Sequence, residues 1–386
     1  MQPTGKIKVL FAINYAISRG EGRSRVLLEY ARYLDHSKFH ISILQFTGSR
    51  FSPMKEKEIL EYTGADKIYT IRSNDRSLLP LYSKGFIGYI LTVFLQPFLY
   101  RVKKRQIDRI TGKERMIVYL FENNLRFSFG KEKIIIGSTH SWDLSDIGLL
   151  KKINVVLRAK LWNIDYFHIF PQFKKSVLLI KPKKYLCMGN GIDADNYTPG
   201  NLLKDNIIRI LYVGRLEKCK GILFFLKVAE AFKGNNKVIF TVIGSGTEEN
   251  YVESVSKKLK NLEFLGNVDD TILSKVYKES LLLLFPSNCD TFGMAVLEAL
   301  SCGIRVIGSE KLTEVFKHAS DLGYYTPLPN DLSFYVEKIN DALAMLNEIE
   351  VNRLDQHKLI SEEYGWDKLI LKLSEFIVSL SQEINS

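Results

Sequence analysis

The chain has 386 residues, 46% of them hydrophobic, and a formal net charge of +11. Its length exceeds what one hydrophobic core usually serves, so the composition predicts two folded domains of under about 200 residues each and excludes a disordered or fibrous chain. The charge is uneven, with 33 Lys and Arg against 17 Asp and Glu in residues 1–198 and 21 against 26 thereafter, so the first half is expected to meet a polyanion or an anionic membrane surface.

The opening, MQPTGKIKVLFAINYA, holds an apolar run of about five residues, too short for a secretion-signal core, and reads as a strand over 7–13. A glycine-bearing loop over 18–24 follows, and then a helix over 25–34 with Val26, Leu27, Tyr30 and Leu34 on one face. Further strands are expected over 39–46, 67–71, 134–136, 166–170 and 185–188. Between them the segment 78–100, LLPLYSKGFIGYILTVFLQPFLY, is aromatic and apolar, and Arg101, Lys103, Lys104 and Arg105 follow it at once. Gln96 and Pro97 interrupt it, so it reads either as an anchor on an anionic leaflet or as a buried helix pair. No stretch reaches the roughly 18 apolar residues of a membrane span. Nucleic-acid binding is disfavoured, since no helix-turn-helix, zinc-finger or RNP pattern is present.

Turn chemistry in TPGNLLKD places the domain boundary near 199–205. Beyond it, strands over 207–213, 238–243, 262–265, 281–285 and 305–307 interleave with helices over 222–232, 248–259, 272–277 and 293–301. Continuous apolar strands separated by helices predict a parallel sheet covered on both faces, an α/β doubly wound domain. Four cysteines, at 187, 219, 289 and 302, stand far apart in sequence without a C-x-x-C pair. Neither zinc nor a disulfide framework is expected, and a reducing cytoplasm is the simplest setting.

Two segments carry the chemistry. In GRLEKCKG, Arg215 and Lys220 flank the turn after the first strand of the second half, where Arg215 can fork onto one phosphate and Lys220 can reach another. In PSNCDTFGMAVLEALSCG a strand ends at Pro286 and a helix begins near Phe292 or Gly293. Its unpaired N–H groups suit a diphosphate, and the glycine allows close approach. Asp290 precedes the helix start and Glu298 follows it, and eight residues at about 1.5 Å rise put the two carboxylates up to about 12 Å apart. That span could set Glu298 on a ribose and Asp290 on a hexose; equally, Asp290 could cap the helix and Glu298 be a solvated surface acid. The loop of Gly244, Ser245 and Gly246 either leaves room for a nucleoside or is an ordinary turn. Asp193, Ala194, Asp195 spells a metal-binding Asp-x-Asp, but in an interdomain linker, and no metal is expected.

In order, these segments resemble the retaining, nucleotide-sugar-dependent glycosyltransferases of the GT-B fold, family 4-like, which carry a Glu-x7-Glu motif, here Asp-x7-Glu. GRLEKCKG is similar to the phosphate-binding turn, VIGSG to the following loop, FLGNV to the base-contacting loop that includes Val268, and PSNCDTFGMAVLEALSCG to the acidic motif. Gly189 to Asp193 with Pro199 resembles the linker, and Tyr364 to Asp367 the segment that returns to the first domain.

The resemblance implies two Rossmann-like domains facing a central cleft. These are 1–198, with 365–386 packing back on it, for the acceptor, and 199–364 for the donor. Arg215 and Lys220 would bind the diphosphate, Glu298 the ribose and Asp290 the sugar. The amides around Phe292, Gly293 and Met294 would contact phosphate or sugar. Gly22 with Arg25 resembles the family's glycine loop, and His140, after a first-domain strand, the cleft histidine, although a structural histidine is as good a reading. Asp290 replaces the usual first glutamate and Glu21 stands where a second glycine is common, which leaves the donor sugar open.

The implied activity is metal-independent hexosyl transfer, with retention, from a UDP- or GDP-linked sugar to a glycan or lipid-linked acceptor in cell-surface polysaccharide or glycolipid synthesis. The setting would be cytoplasmic, peripheral to the inner membrane face, with no cofactor besides the donor. The alternatives are a GT-B sugar-nucleotide epimerase and a non-catalytic membrane-associated glycan-binding protein.

Overall fold

A computed structural model describes residues 5–18, 22–47, 53–72, 101, 103–121, 125–126, 129–139, 164–178, 181–200 and 207–385. His140, Glu21 and the aromatic segment 78–100 lie outside the described residues. Among the described residues no helix is long and apolar enough to cross a membrane.

The chain divides into two compact units, Met1–Met188 with Leu369–Ser386, and Gly189–Lys368. The first division falls about ten residues before the expected 198, because the linker packs with the second unit. Ile192 bridges to Gly365, its N–H donates to the Tyr364 carbonyl at 2.8 Å, and its carbonyl accepts from Trp366 N at 3.2 Å. Gly191 lies so close to the Trp366 ring that a Cβ there would come within 2.4 Å of it.

In the first unit seven strands form one parallel sheet: β1 Ile7–Ala12, β2 Phe39–Phe46, β3 Lys67–Ile71, β4 Ile117–Leu120, β5 Ile134–Ser138, β6 Tyr166–Ile169 and β7 Lys184–Cys187. Their order is β3-β2-β1-β4-β5-β6-β7. Strand β4 was not among the expected strands; four buried apolar residues cannot be told from a helix fragment by periodicity. The first helix, Gly22–Tyr33, starts three residues before the expected 25, so Gly22 lies in its first turn and not in the loop before it, and Arg25, expected to open the helix, lies in the same turn.

The second unit repeats the plan with β8 Ile208–Val213, β9 Val238–Ile243, β10 Leu262–Gly266, β11 Ser280–Phe285, β12 Arg305–Ser309 and β13 Tyr325–Leu328, in the order β10-β9-β8-β11-β12-β13. Every residue of β11 is buried, as a central parallel strand requires. The order reverses between β8 and β11, and the loops that leave these neighbours meet at the carboxyl edge of the sheet, where such sheets bind ligands.

Three helices that the sequence did not disclose, Leu332–Ala344, Leu346–Val351 and Arg353–Tyr364, brace this arrangement. Buried Arg353 donates through Nη2 to the carbonyls of Lys278, Ser280 and Cys302 at 3.0, 3.4 and 3.2 Å. Gln356 Nε2 reaches the carbonyls of Leu300 and Ile304, both at 2.9 Å. These polar groups tie down carbonyls around the end of the Met294–Ser301 helix that would otherwise be buried unpaired.

One buried histidine sets a pH dependence in the first unit. His168, in β6, is fully buried, with Nε2 3.0 Å from the Met188 carbonyl and Nδ1 against the Tyr119 hydroxyl. The carbonyl can only accept, so Nε2 carries the proton and Nδ1 accepts from Tyr119. Burial lowers the His168 pKa to about 4 despite the Met188 bond. The unfolded chain therefore takes up a proton near pH 6.5 that the folded unit refuses until about pH 4, and stability falls as pH drops through that window. The full loss is roughly 3 kcal/mol. Urea unfolding across pH 7 to 4 is expected to show this slope in the wild type and a flatter one in His168→Gln; equal slopes would refute the assignment.

Candidate functional site

The loop that leaves β8 is held by backbone contacts with its neighbours. Gly214 N donates to the Ile243 carbonyl at 3.1 Å, Leu216 N to Ser245 at 2.8 Å, and Glu248 N to Leu216 at 2.9 Å. Gly244 (φ 136°) approaches so closely that a Cβ would lie 2.0 Å from the Gly214 carbonyl oxygen. The next loop joins the stack through Gly244 N to the Gly266 carbonyl at 2.8 Å and Asn267 Nδ2 to Ser245 Oγ at 2.9 Å, with half-buried Val268 beside it. The expected loops thus line one edge of the sheet.

Within the first loop, buried Tyr212 shares its hydroxyl between the carbonyls of Arg215 at 3.0 Å and Lys220 at 3.3 Å, and so gathers both ends of the turn. The turn closes at Gly221, whose φ of 79° suits glycine and where a Cβ would meet the Pro286 carbonyl oxygen at 2.3 Å.

The loop that leaves β11 docks on this turn. Asn288 N donates to the Cys219 carbonyl at 2.9 Å, Asn330 Nδ2 to the Pro286 carbonyl at 3.1 Å and Lys311 Nζ to the Asn288 carbonyl at 3.2 Å. The central contact is Lys220 Nζ to Asp290 Oδ1 at 2.5 Å, with the two side chains only 14% and 18% exposed. The second oxygen of Asp290, Oδ2, is buried without a hydrogen-bond partner among the described residues. Arg215 is likewise charge-paired, with Glu217 at 2.6 Å. Neither pairing was legible in the sequence.

Gly293 (φ 77°) caps the Met294–Ser301 helix, so the amides at Gly293 and Met294 stand where a helix has no internal acceptors. The Phe292 side chain takes no part, since it is 3% exposed and packs against the rings of Phe316 and Tyr364, which leaves only its backbone for a ligand. Glu298 is not a solvated surface acid: it is 2% exposed and accepts from the Tyr277 hydroxyl at 3.0 Å. Burial first, and the Glu298 carboxylate second, keep Tyr277 protonated as the donor of that bond. Nearby Cys302 is pushed up to about 12, mainly by burial and then by the same carboxylate.

The structure therefore brings Lys220 onto Asp290 and sets Arg215, Gly244, Val268 and the Gly293–Met294 amides along one edge. Gly22 and Arg25 belong to the other unit. Asp193 and Asp195 lie in a turn closed by Asn196 and Tyr197 N–H onto the Asp193 carbonyl, both at 3.2 Å. Among the described residues no group of three or more His, Cys, Asp or Glu could hold a metal ion. Sequence reasoning passed over Tyr212, Tyr277, Asn330 and Lys311. Tyr212 sits inside an apolar strand and reads as core, and the rest act only through chain-distant partners.

Residues 193–358 match the family described as "Glycosyl transferases group 1". The match falls within the second unit, which is similar to group 1 glycosyl transferases over those residues. An uncharacterized glycosyltransferase of Methanocaldococcus jannaschii is 28% identical over 173 residues, 43% of this chain and 44% of that protein. The O-antigen biosynthesis glycosyltransferase WclY of Escherichia coli is 25% identical over 307 residues, 76% of this chain and 77% of that protein. The chain spans about half the length of the first curated relatives it matches. Among solved structures, Anabaena HepE in complex with UDP-glucose aligns over 98% of this chain and all of its own, with a TM-score of 0.68 at 14% identity. The fold is GT-B.

In the second unit the close approach at Gly221 sets the spacing of the two central loops. Gly221→Ala adds a Cβ against a backbone carbonyl and strains a positive φ, so it is expected to destabilise the domain by about 1–3 kcal/mol. Chemical denaturation checks this, and an unchanged midpoint would show that the loops can part freely.

Proposed function

We propose that this chain is a retaining, metal-independent glycosyltransferase. It moves a hexosyl group from a UDP- or GDP-linked donor to a hydroxyl of a glycan or lipid-linked acceptor in cell-surface polysaccharide or glycolipid synthesis. The observation that carries the reading is the Lys220–Asp290 pair. It joins the cationic turn to the acidic loop at the point where the strand order reverses, beside the amides that open the Met294–Ser301 helix. The bound UDP-glucose of HepE and the O-antigen role in the name of WclY support the donor and product classes.

Departure of a nucleoside diphosphate builds negative charge on its phosphate. In the proposed reaction Lys220 exchanges the Asp290 carboxylate for a phosphate oxygen, Arg215 exchanges Glu217 for another, and the helix amides complete the cradle. Each exchange replaces one charge-assisted hydrogen bond, of roughly 1.5–3 kcal/mol, by another of similar strength. Binding thus conserves the cation's partner, and the amides supply the surplus. Asp290, once released, accepts from sugar hydroxyls, and Glu298 takes the ribose hydroxyls. The leaving phosphate draws the proton from the acceptor hydroxyl on the face it departs, which retains the configuration. The basic first half turns the chain towards an anionic membrane surface that carries the acceptor.

Lys220→Ala is expected to lower kcat/KM by at least about 100-fold, the cost of one preorganised charge-stabilising donor. The donor would first be named by thermal shift against UDP, GDP and their sugars. Wild-type turnover in Lys220→Ala would contradict the reading, and donor conversion without any acceptor would favour an epimerase.

A further inference from the structure

Two of the four cysteines, 70 residues apart in the chain, lie on the two loops that dock at this site. Cys219 immediately precedes Lys220, and Cys289 immediately precedes Asp290. The segments that carry them are fastened twice, by Asn288 N to the Cys219 carbonyl at 2.9 Å and by Lys220 to Asp290 at 2.5 Å. Both cysteines are free and exposed; Cys219 Sγ donates to Glu217 Oε2 at 3.9 Å, and Cys289 Sγ lies 3.9 Å from Ser287 Oγ. The other two cysteines, half-buried Cys187 and buried Cys302, stand elsewhere. The sequence, with no C-x-x-C spacing, gave no warning of this pair.

We propose that Cys219 and Cys289 are a reversible redox site, whose disulfide fastens the cationic turn to the acidic loop and closes the donor site. The closure rests on the donor reading above, because a donor must part Lys220 from Asp290. A covalent link between the residues just before each of them opposes that parting. The oxidant is a low-molecular-weight disulfide. The Cys219 thiolate attacks one of its sulfurs and expels a thiolate; Cys289, after losing its proton, attacks the Cys219 sulfur of the mixed disulfide and expels the second. Two protein thiols are oxidised to one disulfide, one external disulfide is reduced to two thiols, and the two protons end on the released thiols. Partial burial, followed by neighbouring Cys219, raises the Cys289 thiol to about 11, so attack by Cys289 quickens as pH rises.

The test treats the full chain with oxidised glutathione and reads intact mass, a non-reducing peptide map and the thermal shift given by UDP and by GDP. The expected result is a loss of two hydrogens mapped to Cys219–Cys289, together with loss of the nucleotide-induced shift, both reversed by dithiothreitol. Cys219→Ser and Cys289→Ser should keep the shift under the same oxidation. Glutathione adducts without a cross-link, or a cross-linked protein that still gives the full shift, would overturn the proposal. If neither nucleotide shifts the reduced protein, the donor reading fails, and the redox site is then judged on the peptide map alone.

Discussion

The ammonium of Lys220 and the carboxylate of Asp290 meet across the point where the strand order of the second sheet reverses, and the arrangement of the site follows from that contact. Strands β8 and β11 are hydrogen-bonded neighbours, yet one precedes two strand–helix units that run to one side and the other opens the units that run to the opposite side. Their loops diverge from a common edge and leave a crevice that only side chains and close backbone approaches can close. The Lys220–Asp290 pair bridges it, and most of both side chains is withdrawn from water. Such a pair contributes little net stability, because desolvation offsets much of the attraction. It sets a cation and an acid side by side at the sheet edge where such folds bind ligands.

The backbone makes that geometry possible. Gly244 against Gly214 and Gly221 against Pro286 let the loops stack main chain on main chain, and the Tyr212 hydroxyl draws the ends of the cationic turn together. Behind the Met294–Ser301 helix, Arg353 and Gln356 take up carbonyls from two stretches, 278–280 and 300–304, so the helix start that faces the crevice is anchored at its far end. Fixed loops and a fixed helix start are what electrostatic stabilisation of a departing phosphate requires.

Much of the second unit was legible because its strands are short, wholly apolar and separated by helical periodicity. The unread parts have physical causes. Strand β13, YTPL, contains proline and threonine and sits at the sheet edge, and the Arg353–Tyr364 helix buries Arg353 and Gln356, polar residues that break the apolar stripe by which a helix is recognised. For the site, residue types in Gly-rich or acidic turns after strands pointed to Arg215, Lys220, Asp290 and Glu298. Their partners were not legible, because Lys220 meets Asp290, and the Asn288 amide the Cys219 carbonyl, only once strand order is known. Glu298 shows the same limit: in sequence it fits either a surface acid or a ligand, and only the packing of Tyr277 against it reveals a buried, hydrogen-bonded carboxylate.

Donor binding as proposed requires one exchange of partners, so the most direct measurement is a structure of the chain with the nucleoside diphosphate that stabilises it. The expected result is a diphosphate at the start of the Met294–Ser301 helix, with Lys220 Nζ within hydrogen-bond distance of a phosphate oxygen and Asp290 released from it. A diphosphate bound elsewhere, or bound there with the Lys220–Asp290 contact intact, would contradict the account.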